Sequence, residues 1–252
     1  MENEKLTLKI FRKDPAVDEK EHYDTFEVPY VDGMVVLDAV RYVEEHLDTT
    51  LSIRWNCKAA KCGSCSAEIN GFPRLMCKTR IDKVGFNITV NPMGAYPLIK
   101  DLVTDVTGNW EILRKIPKFT PKELGKDEHF SMQQQDVERS KEFRQCIECF
   151  LCQDVCHVVR EHYTDYFGPR HIVKAASLDM HPMDTLDRST LLNVEGGLGY
   201  CNITKCCQEV CPEHITITDN AIIQEKERAV DLTYDPLAML IKGRRKKEKR
   251  VV

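Results

Sequence analysis

Leu6, Leu8 and Ile10 alternate with polar residues near the start of the chain, and Phe26, Val28 and Tyr30 repeat the pattern. An apolar residue at every second position suits a strand with one buried face, so both runs predict strands. The period then changes. Val36, Leu37, Val40, Val43 and Leu47 fall at helical spacing after Asp32-Gly33, which predicts a helix starting there. Leu51–Trp55 returns to strand character. Asn70-Gly71 between short apolar runs predicts a hairpin, because both residues accept the positive φ of a tight turn. Ile88 and Val90 close the region with another strand before Pro92. The expected result is a small β-grasp sheet wrapped around one helix.

Pro117, Pro121 and Gly125 mark a connection, beyond which strand patterns fade. Gln134–Arg144 predicts a polar helix, and Pro169–Leu178 another, with its proline suited to the first turn. Glu195-Gly196-Gly197-Leu198-Gly199 lacks the spacing of a nucleotide-binding glycine loop and reads as a loop letting the backbone pass close to a cofactor or partner. The fold class is therefore α+β, with a sheet domain over 1–115 and a helical domain over 116–252.

Composition narrows the class. The 252 residues are 42% hydrophobic and 30% charged, which suits a globular chain with a core. No run of about 18 apolar residues offers a membrane span. Met1–Lys9 is acidic and lysine-rich without an apolar centre, so no export signal is expected. The net charge of −4 conceals a basic tail, Lys242–Arg250, with seven Lys/Arg against one Glu. The remaining body is acidic and poorly suited to nucleic acid. The tail reads as a solvated terminus or as a contact for anionic lipid or an acidic partner.

The twelve cysteines carry the chemistry. In a reducing compartment so many thiols point to metal rather than disulfides. Cys57, Cys62 and Cys65 follow C-x4-C-x2-C, the plant-type [2Fe–2S] loop, and the predicted hairpin brings Cys77 back as the fourth ligand. Gly63, Ser64 and Ser66 are small enough for amides to approach sulfur. Lys58, Lys61 and Lys78 add positive charge favouring the reduced cluster.

Cys146, Cys149, Cys152 and Cys156 form the bacterial ferredoxin run, whose fourth cysteine serves the neighbouring cluster. Cys201, Thr204, Cys207 and Cys211-Pro212 repeat the same steps, with Thr204 where the second cysteine belongs. Cross-ligation then gives Cys146, Cys149, Cys152 and Cys211 to a [4Fe–4S] cluster. Cys156, Cys201 and Cys207 remain, and three thiolates suit [3Fe–4S]. Cys206 is left over and reads as a buried packing thiol. Structural zinc, which prefers two cysteine pairs across a longer loop, fits none of these runs. His157 and His214 adjoin cluster cysteines and are candidates for a hydrogen bond to sulfur or quinone. His129, His162, His171 and His181 read as packed or exposed residues rather than haem ligands. No hydrolytic triad or phosphate-binding loop stands out.

These runs resemble the iron–sulfur subunit of succinate dehydrogenase and fumarate reductase. The resemblance rests on Arg54-Trp55-Asn56-Cys57 through Cys65, on Arg74-Leu75-Met76-Cys77, on Cys146-Ile147-Glu148-Cys149-Phe150-Leu151-Cys152, and on Cys201 through Pro212. It implies an N-terminal plant-ferredoxin-like domain and a helical bacterial-ferredoxin-type domain. It also implies a partner with covalent FAD where succinate and fumarate interconvert, as in the tricarboxylic acid cycle. A membrane-anchor cytochrome b subunit with haem b is implied too, with quinone as acceptor. The expected place is peripheral, on the cytoplasmic face of a prokaryotic inner membrane.

One stretch departs from the pattern. Many ubiquinone-reducing members carry a Pro-Ser-x-Trp-Trp-like segment where this chain has His157, Val158, Val159 and Arg160. A different quinone pocket is expected, with menaquinone as the candidate and His157, Arg160 and His214 as residues near it. Two other classes stay open: a subunit of a related dehydrogenase or thiol-linked fumarate reductase, and a zinc-stabilised binding module.

Overall fold

The computed structural model describes residues 5–125 and 129–234. The basic tail at Lys242–Arg250 lies outside the described residues. Strands β1 (Lys5–Arg12), β2 (His22–Pro29), β3 (Ser66–Ile69), β4 (Phe72–Leu75) and β5 (Asn87–Asn91) form one sheet in the order β2-β1-β5-β3-β4. β1 pairs antiparallel with β2 and parallel with β5, while β3 is antiparallel to both β4 and β5. The predicted alternation is what fills the core: Leu6, Leu8, Ile10, Ile88 and Val90 are all buried. Helix α1 (Val36–Tyr42), extended by a π-helical turn over Val43–Leu47, buries Val36, Leu37, Val40 and Val43 against them. Each such side chain removed from water contributes about 1.5–3 kcal/mol. Asn70 and Gly71 turn the β3–β4 hairpin with φ of 52° and 77°.

Leu51–Trp55 corrects the reading above. It is extended but joins no sheet. Its backbone is claimed from elsewhere: Ser52 N–H donates to Asp101 Oδ2 at 2.9 Å, and Leu102 N–H donates to the Ser52 carbonyl at 3.2 Å. Buried Asp101 also accepts from Arg12 Nε at 3.2 Å and Lys13 N–H at 3.1 Å, so it ties β1 to the segment entering Cys57.

After short α2 (Ile81–Val84), a small ladder joins β6 (Leu98–Lys100) to β7 (Val103–Thr104). Helix α3 (Thr107–Lys115) then packs towards the second half. The Asn109 carbonyl lies 2.9 Å from His171 Nε2, and Trp110 meets Phe150 edge to face. The connection at Pro117–Lys118 is held by buried Arg188, which donates to both carbonyls at 2.9 Å and pairs with Asp179 and Asp184.

The second half is helical: α4 (Gln134–Lys141), α5 (Leu151–Asp154), α6 (His157–Glu161), α7 (Pro169–Asp179), α8 (Ser189–Val194), α9 (Cys206–Glu209) and α10 (Ile223–Tyr234). Pro169 stands in the first turn of α7, as its missing N–H allows. The glycine segment packs closely on its own chain. A Cβ on Gly197 would lie 1.8 Å from the Asp165 carbonyl oxygen, and Phe167 N–H donates to the Gly196 carbonyl at 3.0 Å. Among the described residues no helix is long and apolar enough to cross a membrane.

Candidate metal centres

All twelve cysteines are free thiols. They gather as three sets. In the first, positive φ at Lys58, Ala60 and Gly63 curls the chain so that amides point inward. Ala59 and Lys61 N–H groups both donate to Cys57 Sγ at 3.3 Å, and Cys77 N–H lies 3.5 Å from Cys65 Sγ. Burial pushes the Cys62 thiol up, but hydrogen bonds from Ser64 and Cys57 outweigh it and leave it at about 7. Cys65, more deeply buried beside Cys77 and Cys62, is pushed up to about 12. Of the lysines expected to charge this loop, Lys61 pairs with Glu213 at 3.3 Å, Lys78 Nζ donates to the Pro212 carbonyl at 2.5 Å, and Lys58 covers the Trp55 ring. Two of these cations therefore bind the second half of the molecule.

The second set lines an enclosed cavity. Cys146, Cys149, Cys152 and Cys211 share its wall with Ile147, Val173, Ile215 and Ile217. Burial pushes Cys149 up to about 12 and Cys152 well above its ordinary value, with the neighbouring thiols adding to the effect. Burial disfavours the thiolate form of Cys149 and Cys152, and concentrated positive charge, the condition a metal cluster would meet, offsets that. The third set joins Cys156, Cys201 and Cys207; burial raises the Cys156 thiol, with Cys206 and Cys201 adding, and raises Cys207 to about 12, with Cys206, Cys156 and Cys201 adding. Thr218 Oγ1 lies 3.5 Å from Cys207 Sγ, and buried Tyr166 has Cys201, Cys156 and Cys207 around its hydroxyl.

The two ferredoxin-like runs superpose by register. Glu148 and Phe150 have φ of 57° and 60°; their counterparts Ile203 and Lys205 have 63° and 64°. Helix α5 corresponds to α9 residue for residue. Thr204 thus occupies the backbone place of Cys149. Cys206 occupies that of Leu151, yet it is part-exposed, with Thr204 Oγ1 at 3.4 Å from its sulfur and Cys156 as a neighbour. The reading of Cys206 as a buried packing thiol is therefore corrected: its counterpart Leu151 is buried, but Cys206 lies on a turn whose Gln208 and Glu209 also reach solvent.

The histidines separate cleanly. His157 stands 2.9 Å from the Asn202 side-chain amide, beside Cys201. His214 follows Cys211, whose thiol belongs to the four-cysteine set. Arg160 faces the sheet domain instead, with Nη2 donating to Glu68 at 2.6 Å and Nε to the Asp154 carbonyl at 2.6 Å. His171 is buried between backbone carbonyls of Phe167 and Asn109; burial outweighs those acceptors and holds it at about 4. His162 stacks on Tyr200, His181 meets Phe119 edge to face, and His129 is exposed.

The sets adjoin each other. A Cβ on Gly63 would lie 2.5 Å from Cys149 Cα, and the Ser66 hydroxyl reaches the carbonyls of both Gly63 and Cys149 at 2.8 Å. Cys152 in turn has Cys207 among its neighbouring thiols. This contact between domains carries no signal in cysteine spacing, though Gly63 at the loop's centre was the residue to suspect.

Residues 7–111 match the 2Fe-2S iron-sulfur cluster binding domain family, and residues 142–215 match the 4Fe-4S dicluster domain family. A fumarate reductase iron-sulfur subunit from Haemophilus influenzae is 31% identical over 83% of this chain and 88% of its own length. A fumarate reductase (CoM/CoB) chain from Methanothermobacter marburgensis is 31% identical over 89% of this chain but 44% of its own. In the Mycobacterium smegmatis Sdh1 complex in the apo form, one chain is 52% identical with a TM-score of 0.88, covering 93% of this chain and 99% of that one. With both cluster domains matched in order and relatives aligned over most of their length, the chain belongs to the iron–sulfur subunits of the succinate dehydrogenase and fumarate reductase family.

Proposed function

We propose that this subunit carries single electrons between a FAD-bearing partner, where succinate and fumarate interconvert, and membrane quinone. Cys57, Cys62, Cys65 and Cys77 would hold [2Fe–2S], Cys146, Cys149, Cys152 and Cys211 would hold [4Fe–4S], and Cys156, Cys201 and Cys207 would hold [3Fe–4S]. When bound, these clusters supply one-electron carriers that couple a two-electron donor to a two-electron acceptor. The chain's own residues do the rest. Amides of Ala59, Lys61 and Cys77 donate to sulfur, apolar walls exclude water from the four-cysteine cavity, and the Gly63–Cys149 contact keeps the sets adjacent.

The observation that carries this reading is the unbroken adjacency of three cysteine sets, four, four and three in number, along one molecule. The three-cysteine end lies beside exposed Tyr200 and Ile203, which supports contact there with a membrane-anchor cytochrome b subunit and its haem. The reading is completed by a peripheral place on the cytoplasmic face of a prokaryotic inner membrane, with menaquinone as the proposed acceptor. His157, Arg160 and His214 stay the quinone-side candidates: His157 lies beside Asn202, Arg160 N–H donates to the Cys156 carbonyl at 3.1 Å, and His214 follows Cys211. Low-temperature EPR of the anaerobically purified complex tests the proposal, with iron and labile sulfide assays. A three-iron signal in the oxidised state is expected alongside a reducible [2Fe–2S] signal. Material with little iron or sulfide would overturn the reading. The likeness to the CoM/CoB enzyme chain favours a second reading, a thiol-linked donor, which reduction of the complex by a dithiol without succinate would reveal.

A further inference from the structure

Tyr166 lies in the segment between α6 and α7 and is 2% exposed. Its hydroxyl oxygen is inaccessible to solvent and has no hydrogen-bond partner among the described residues. Leaving a buried phenol unpaired costs about 1–3 kcal/mol. The groups around it are the thiols of Cys201, Cys156 and Cys207. The ring has little freedom to turn elsewhere. Tyr166 N–H donates to the His162 carbonyl at 3.1 Å, Phe167 is held by Gly196 on one side, and Gln153 Nε2 donates to the Phe167 carbonyl at 3.0 Å on the other. Tyr96, the other deeply buried tyrosine hydroxyl, already has Asn109 Oδ1 at 3.4 Å.

We infer that the Tyr166 hydroxyl donates a hydrogen bond to sulfur at the Cys156–Cys201–Cys207 site and thereby raises the reduction potential of the cluster held there. The inference rests on the [3Fe–4S] reading proposed above. A cluster held there would gain negative charge on reduction. The phenolic proton stays on Tyr166, no bond is broken, and the hydrogen bond strengthens with the added charge. Thr218, whose hydroxyl already meets Cys207, is a second donor to the same site. Tyr166 is therefore a tuning residue, not a catalytic one.

The test is an EPR-monitored redox titration of the whole complex. Tyr166→Phe keeps the ring and removes the donor. Its three-iron midpoint should move negative by enough to change the oxidised-to-reduced ratio at fixed poise several-fold; a tenfold change corresponds to about 59 mV for one electron. Replacing Tyr166 with 3-fluorotyrosine, a stronger donor of nearly the same shape, should move the midpoint the other way and decides the matter if Tyr166→Phe fails to fold. In both variants the [2Fe–2S] midpoint and the iron content should match the unsubstituted complex. A three-iron midpoint that stays put, or moves in the same direction in both variants, overturns the tyrosine assignment. Absence of any three-iron signal in the unsubstituted complex overturns the cluster reading itself, and this inference with it.

Discussion

The runs at 146–156 and 201–211 share a backbone and differ in side chains. Both place two non-glycine residues of the run in left-handed conformation, both follow with a single helical turn, and both end in a cysteine beyond it. Yet the first has Cys149 where the second has Thr204. The first is braced by Arg170, buried and paired with Glu148, and by Arg160 on the Asp154 carbonyl; the second by Lys226, whose Nζ donates to the Cys201 carbonyl at 2.7 Å, and by Lys205 paired with Asp219. The shape that presents thiols thus survives the loss of one of them. Ligand number, not scaffold, separates the two sites.

Exchanging the differing position gives the largest expected effect. Cys149→Ser should remove the four-iron site and cut quinone reduction by more than about 100-fold, whereas Thr204→Ser should stay within about twofold. Thr204→Cys should convert the oxidised three-iron EPR signal towards a four-iron type. Equal losses from Cys149→Ser and Thr204→Ser would break the comparison. Next comes the junction. Gly63→Ala meets Cys149 backbone and has φ of 70°, so it should cost about 2–4 kcal/mol by thermal unfolding of the complex. It should also slow reduction of the four-iron centre relative to [2Fe–2S].

A smaller effect probes the bracing behind the second run. Glu225 on α10 is fully buried with neither carboxylate oxygen hydrogen-bonded, and burial, with Asp179 adding, pushes it up to about 7. A carboxyl whose folded pKa exceeds its unfolded value contributes fully below about pH 4 and loses that contribution as pH rises through 7. Glu225→Gln should therefore stabilise the protein at pH 8 by about 1–3 kcal/mol and little at pH 5, read from unfolding curves at both. The smallest change is expected at Cys206, outside the ligand register. Cys206→Ser should leave iron content and three-iron EPR intensity within about twofold; loss of either would make it a ligand and redraw the second run.

The strands were legible because one sheet face is buried, which stamps alternation on Leu6, Leu8 and Ile10. The Asn70-Gly71 turn was legible because its conformation demands residues that accept positive φ, and the proposed partition of eleven thiols draws on the same kind of cue, since cluster geometry demands fixed short spacings. Leu51–Trp55 misled because an apolar run looks the same whether a neighbouring strand or Asp101, far along the chain, takes its amides. Tyr166 and the Gly63–Cys149 contact left no trace for a related reason. Each depends on which loops meet in space, and a lone aromatic or glycine has no period to betray it. Cys206 misled because its burial depends on the exposure of α9, which its own residue type does not report.

Main chain presses on main chain at Gly63, and the Ser66 hydroxyl stitches the seam from both sides. Neither half can slide against the other without main chain colliding at Gly63 or the Ser66 hydroxyl losing an acceptor, so the interval between whatever the two facing loops hold is set by the fold and not by the occupant.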